Sequence, residues 1–80
     1  MNKKQLEKEI IEQLGKTETW EYIEIQIVAH IRSATGEYLY DDLIGYQNVT
    51  FLSTINGELM IYAGKAYYHR IEDIIKIEIG

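Results

Sequence analysis

His69, Glu72 and Asp73 would present one imidazole and two carboxylates to a cation if the chain coiled into a helical turn there. A strand ending at His69, followed by a turn in which Asp73 accepts from backbone N–H groups, accounts for the same residues without a ligand. His30 and His69 are the only soft ligands, because the chain has no cysteine. Disulfides, cysteine-bound zinc and iron–sulfur clusters are therefore excluded. Asp41 and Asp42 form an acidic pair, but neighbours on a strand point to opposite faces and share no proton unless the strand bulges. Ser33, Ser53 and a few threonines are the available hydroxyl nucleophiles, with His30 or His69 as the base. None of them sits in a recognisable strained turn, and no GxxxxGK or GxGxxG phosphate loop exists. The expectation is a chain without catalytic residues, metal or cofactor.

The residue type in excess is tyrosine. Seven Tyr, one Trp and one Phe occur in 80 residues. Large rigid rings contribute contact area at interfaces with little loss of rotamer freedom, although aromatic residues are also ordinary strand formers. Tyr38, Tyr40 and Tyr46 cluster in one stretch, and Tyr62, Tyr67 and Tyr68 in another. Tyr38, Tyr40, Tyr46, Tyr67 and Tyr68, together with Leu52 and Ile61, are the expected partner-binding residues. Charge narrows the partner. Lys3, Lys4, Lys8 and Lys16 face only Glu7, Glu9 and Glu12 in the first sixteen residues, a net of +1. With −5 overall, the remainder carries −6. A protein partner, including a second copy in a homo-oligomer, suits this acidic body better than nucleic acid, whose binders cluster basic residues. The alternative is a small nucleic-acid-binding barrel that combines tyrosine stacking with the N-terminal lysines.

These side chains are positioned by one helix and a series of strands. Asn2 can cap a helix with Gln5 in capping-box spacing, and Gly15 can end it. Leu6, Ile10 and Leu14, with Ile11 beside them, form a narrow apolar stripe. From Trp20 the period becomes two. In a strand from Tyr22 to Arg32, Ile23, Ile25, Ile27, Ala29 and Ile31 face one way, and Glu24, Gln26, Val28, His30 and Arg32 the other. A turn over residues 34–37 leads to a strand from Tyr38 to Ile44, which Gly45 interrupts by a bulge or bend. A third strand covers Asn48 to Ile55. Asn56-Gly57 predicts a two-residue hairpin that sets Phe51 opposite Tyr62 and Leu52 opposite Ile61. Gly64-Lys65 predicts another, with Tyr62 opposite Tyr67 and Ile61 opposite Tyr68. Ile71 to Ile74 reads as one helical turn. A last strand then points Ile75, Ile77 and Ile79 inward and Lys76 and Glu78 outward.

The resulting fold class is α+β. It is a single domain over 1–80, with an N-terminal helix over 1–16 and, over 19–80, a five- or six-stranded antiparallel curled sheet or partly open barrel. The alternative topology is an up-and-down meander with the helix across one face. The Val49, Phe51, Met60 and Tyr62 face is expected inside. The face bearing Leu52, Leu59, Ile61 and Tyr68 is expected against the helix or a partner chain. The strand from Tyr22 to Arg32 and the last strand carry few charges that protect an edge, which predicts self-pairing into a homodimer or small ring.

The order helix, bent strands, tight hairpin, helical turn and last strand resembles small Sm-like barrels. The stretch from Tyr68 to Ile79 resembles the ending of YolD-like proteins of bacteria and their phages, over about a dozen residues. The central strands depart from that family, so no functional residue carries over. The resemblance implies a small bacterial or phage-borne binding or accessory protein, one form of which is an inhibitor of a host protein. The N-terminus interleaves Glu with its apolar residues and lacks the continuous apolar core of a signal peptide, and no apolar run is long enough to span a membrane. A cytoplasmic protein without membrane attachment is expected.

Overall fold

The computed structural model describes residues 1–16 and 23–80. Helix α1 (Lys3–Leu14) is followed by strands β1 (Ile23–Arg32), β2 (Tyr38–Val49), β3 (Phe51–Ile55), β4 (Glu58–Tyr62) and β5 (Ala66–Arg70), a 3-10 turn (Ile71–Asp73) and β6 (Ile74–Ile79). The strands form two three-stranded antiparallel sheets, ordered β2-β1-β6 and β3-β4-β5. The fold is α+β, and the sheets do not close into a barrel. The expected sheet start at residue 19, Trp20 and the strand start at Tyr22 lie outside the described residues.

Local sequence explains most of the boundaries. Asn2 and Gln5 form the capping box reciprocally, at 2.8 and 3.1 Å. Leu6, the first residue of the helical stripe, is fully buried, Ile10 and Leu14 pack partly against the core, and Ile11 is exposed. Gly15 follows the helix in a right-handed conformation rather than the left-handed one of a glycine cap. In β1 the alternation holds, with Ile23, Ile25, Ile27 and Ala29 buried. Asn56 and Gly57 both take positive φ, as a type I′ turn demands, and Phe51 pairs with Tyr62 and Leu52 with Ile61.

Several expectations are corrected by longer-range structure. Gly45 pairs with Gln26 inside an unbroken β2, and a Cβ there would meet only the Gln26 side chain, at 3.9 Å. The bend falls later, at Asn48, whose φ is 56°, and Thr50 alone separates β2 from β3. That bend resets the alternation. Val49 is buried in line with expectation, but Phe51 and Tyr62 are 57% and 43% exposed, while Leu59 and Ile61 are at 0%. The interior face of the second sheet is therefore the one bearing Leu52, Leu59 and Ile61. Gly64, at φ 81°, sits in a three-residue connection, so Tyr62 pairs with Ala66, Ile61 with Tyr67 and Met60 with Tyr68. The one-residue difference turns Tyr67 inward and Tyr68 outward. A register shift in the β1–β6 pairing skips Ile75, which is 42% exposed, and leaves Ile74 and Ile77 buried.

The expected sticky edges are also absent. β1 is central in its sheet, and α1 lies along the free edge of β6. The Gln13 side-chain amide donates to the Ile77 carbonyl at 2.7 Å and accepts from the Ile79 N–H at 2.6 Å. Met1 contributes its amine to the Ile74 carbonyl at 2.6 Å. Gln13 thus meets the backbone groups that a neighbouring strand would have paired, which blunts the edge. Across the helix, Thr54 of β3 donates to Glu7 at 3.0 Å. α1 therefore fills the seam between β6 and β3.

Candidate functional site

The residues with catalytic chemistry are dispersed. His69 does not meet Asp73; the buried Asp73 carboxylate instead accepts from Arg32 Nε at 2.7 Å. That hydrogen bond, and then the charge behind it, raises the Arg32 pKa. Among the described residues no group of three His, Asp or Glu side chains could hold a metal ion. Asp41 and Asp42 point apart, because the β1–β2 register is regular from Tyr40 to Tyr46 and its shifts fall outside that stretch. Asp41 lies 2.5 Å from His30 Nδ1 across the β1–β2 ladder, and Asp42 accepts from the Leu43 N–H at 2.9 Å. Tyr38 joins the first pair, its ring edge-on to His30 with centroids 5.2 Å apart. Desolvation, then a hydrogen bond to Asp41, raises its phenol pKa. This His30–Asp41–Tyr38 cluster lies on the outer face of the first sheet. Alternation places His30 there, but the contact itself depends on the β1–β2 register.

A second cluster spans the seam between β2 and β5. Tyr46 Oη is hydrogen-bonded to His69 Nε2, and its ring tilts against Tyr67 with centroids 4.8 Å apart. Lys65 lies 5.1 Å above the Tyr67 ring. Burial lowers the His69 pKa, and burial followed by the neighbouring Tyr67 raises that of Tyr46. Both shifts favour the neutral forms, and the hydrogen bond joins a neutral phenol to a neutral imidazole.

The expected partner-binding residues consequently separate into three groups. Ile61 is in the core, fully buried, and offers no surface; Leu52 is half-buried against that core. Tyr46 and Tyr67, half-buried, close the β2–β5 seam. Tyr38, Tyr40 and Tyr68 are exposed, in two places. Tyr38, Leu39, Tyr40 and Leu43 lie on the first half of β2 and are each 54–60% exposed. Tyr68 lies with Phe51, Ile55 and Tyr62 on the outer face of the second sheet. Leu39, Leu43 and Ile55 lie outside the expected set because aromatic clustering points to tyrosines and not to the aliphatic residues near them, and Phe51 lies outside it because its face is expected inside.

Two of the lysines of α1 have acidic neighbours. Lys3 pairs with Glu7 at 3.8 Å. Lys8 lines an open groove of about 630 Å³ beside β6 in company with Glu9, Glu12 and Glu72. No described helix is long and apolar enough to cross a membrane. No protein-family model, curated protein or solved structure matches the chain.

Proposed function

We propose that this chain is a small, non-enzymatic protein-binding module that engages its partner through the first half of β2. The observation that carries this reading is the exposure of Tyr38, Leu39, Tyr40 and Leu43 by more than half on an edge strand. Tyr38 and Leu43 share the outer face of β2 with Asp41 while Tyr40 emerges on the opposite face, so the exposed side chains wrap a strand edge, and rings and branched side chains of this kind form the buried centre of protein interfaces. The partner binds over these side chains, and the Leu43 N–H meets the Asp42 carboxylate. Glu37, Asp41 and Asp42 border the patch on a chain of net charge −5, which selects an apolar partner surface flanked by Lys or Arg. An accessory or inhibitor protein acting on a host protein, as the resemblance of the stretch from Tyr68 to Ile79 implies, is one form of this function. Lys3 beside Glu7, and Lys8 among Glu9, Glu12 and Glu72, give the nucleic-acid reading no comparable support. The test is affinity capture from a cell lysate with the wild-type chain and with Tyr40→Ser/Leu43→Ser as baits, compared by mass spectrometry. Proteins held by the first bait and lost with the second are expected; identical capture by both overturns the reading.

A further inference from the structure

Tyr46 and Tyr67 are distant in sequence and belong to different sheets, yet their rings touch across the β2–β5 seam, with centroids 4.8 Å apart and planes inclined at 48°. Among the described residues this is the only contact between two tyrosine rings. Both rings are half-buried. Tyr46 is held further by the hydrogen bond between its hydroxyl and His69 Nε2, and Tyr67 by Lys65 over its ring. Tyr38, Tyr40, Tyr62 and Tyr68, in contrast, are exposed, and none of them meets another tyrosine ring of the described residues.

We propose that Tyr46 and Tyr67 form an oxidative cross-linking site, at which a one-electron oxidant converts the pair into dityrosine and straps the seam covalently. Each phenol gives up one electron and its hydroxyl proton and becomes a neutral tyrosyl radical. The two radicals combine through ring carbons ortho to their oxygens, forming one carbon–carbon bond. Each of those carbons then loses its hydrogen as a proton and each oxygen regains one, which restores both phenols. In sum, two electrons pass to two equivalents of oxidant and two protons to water.

Geometry selects this pair in two ways. Rings already in contact couple without diffusing together, the advantage that proximity gives any two-body step. Half-burial keeps the ring of a second molecule away, whereas an electron still crosses the packed side chains. Radicals on the exposed tyrosines must wait for an encounter, so their cross-links join different molecules and grow with protein concentration. The product has a structural consequence. It ties β2 to β5, which no backbone ladder joins, and closes a loop containing all of β3 and β4. Such a closure restricts the unfolded chain as a disulfide does, in a sequence that has no cysteine. The strap is independent of what binds the first half of β2.

The test oxidises the full chain at low micromolar concentration with photogenerated tris(bipyridine)ruthenium(III), each ion of which takes one electron and returns to ruthenium(II). A monomer that has lost two hydrogen atoms and shows dityrosine fluorescence is expected, in a yield unchanged by tenfold dilution of the protein. Its urea midpoint is expected to lie above that of the untreated chain. Fragmentation of the digested product is expected to place the bond between residues 46 and 67. Tyr46→Phe and Tyr67→Phe keep the rings and are each expected to lower the monomeric product at least tenfold with unchanged circular dichroism, whereas Tyr40→Phe and Tyr68→Phe leave it as it is. Tyr40→Ser/Leu43→Ser is expected to cross-link as the wild type does, so loss of the β2 partner and loss of the strap are separate results. Absence of monomeric dityrosine, a yield that falls on dilution, a bond mapped to another pair, or a product that survives Tyr46→Phe or Tyr67→Phe would each overturn the proposal.

Discussion

The two sheets part along two seams, and the chain closes them by different means. Between β6 and β3 lies a whole helix: Leu6 is buried in the core, Gln13 satisfies the edge of β6, and Glu7 accepts from Thr54. Between β2 and β5 lie three side chains, Tyr46, Tyr67 and His69, joined by ring contacts and one hydrogen bond. The first seam removes an aliphatic side chain and two backbone groups of an edge strand from water. The second removes a titratable ring and a phenol that remain half-buried. The helical seam is therefore expected to dominate stability, and the aromatic seam to govern how stability responds to pH.

The sharpest challenge to that contrast is Leu6→Ala. Truncating a fully buried leucine is expected to cost about 2–5 kcal/mol, read as a fall in the urea midpoint, and a loss near zero would show that α1 is an ornament on the sheets. Next in size is Gln13→Ala, which leaves the Ile77 carbonyl and the Ile79 N–H without their partner. A cost of about 1–3 kcal/mol is expected, with faster hydrogen exchange at the Ile79 amide and greater aggregation through the opened edge.

On the aromatic side, Tyr46→Phe keeps the ring packing against Tyr67 and removes only the hydroxyl. The expected cost is about 1 kcal/mol, well below that of Leu6→Ala; an equal cost would erase the difference between the seams. The smallest effect is expected from pH. Burial lowers the folded-state pKa of His69 from its usual 6.5, so between those two values the unfolded chain binds a proton that the folded chain does not. Stability contributed by neutral His69 is thus complete above about pH 6.5 and is lost as pH falls below it towards the lowered folded-state value. His69→Leu is expected to flatten that part of the stability profile relative to wild type. Parallel profiles between pH 7 and 5 would show that the ring titrates as freely folded as unfolded.

The same division separates what was legible in the residues from what was not. The capping box of Asn2 and Gln5, the alternation of β1 and the hairpin at Asn56-Gly57 are decided by groups only a few residues apart. A cap needs one side chain near one N–H, and a type I′ turn needs two residues that tolerate positive φ. Alternation, in contrast, establishes that Phe51 and Leu52 face opposite ways without establishing which way is inward. The outcome depends on the bend at Asn48 and on where the first sheet and Leu6 come to rest. Gly64 is compatible with a two- or a three-residue connection, and pairing across β4–β5 selects the longer one, which turns Tyr67 inward and Tyr68 outward. The bulge at Ile75, the Gln13 amide on β6, the His30–Asp41 pair and the Tyr46–His69 contact all join groups brought together by strand register or by docking of the helix. Sequence by itself determined the capped helix, the alternation of β1 and the Asn56-Gly57 turn, because those rest on local backbone and side-chain energetics. Only the tertiary structure decided which faces are buried and which side chains meet, because those depend on the packing of elements distant along the chain.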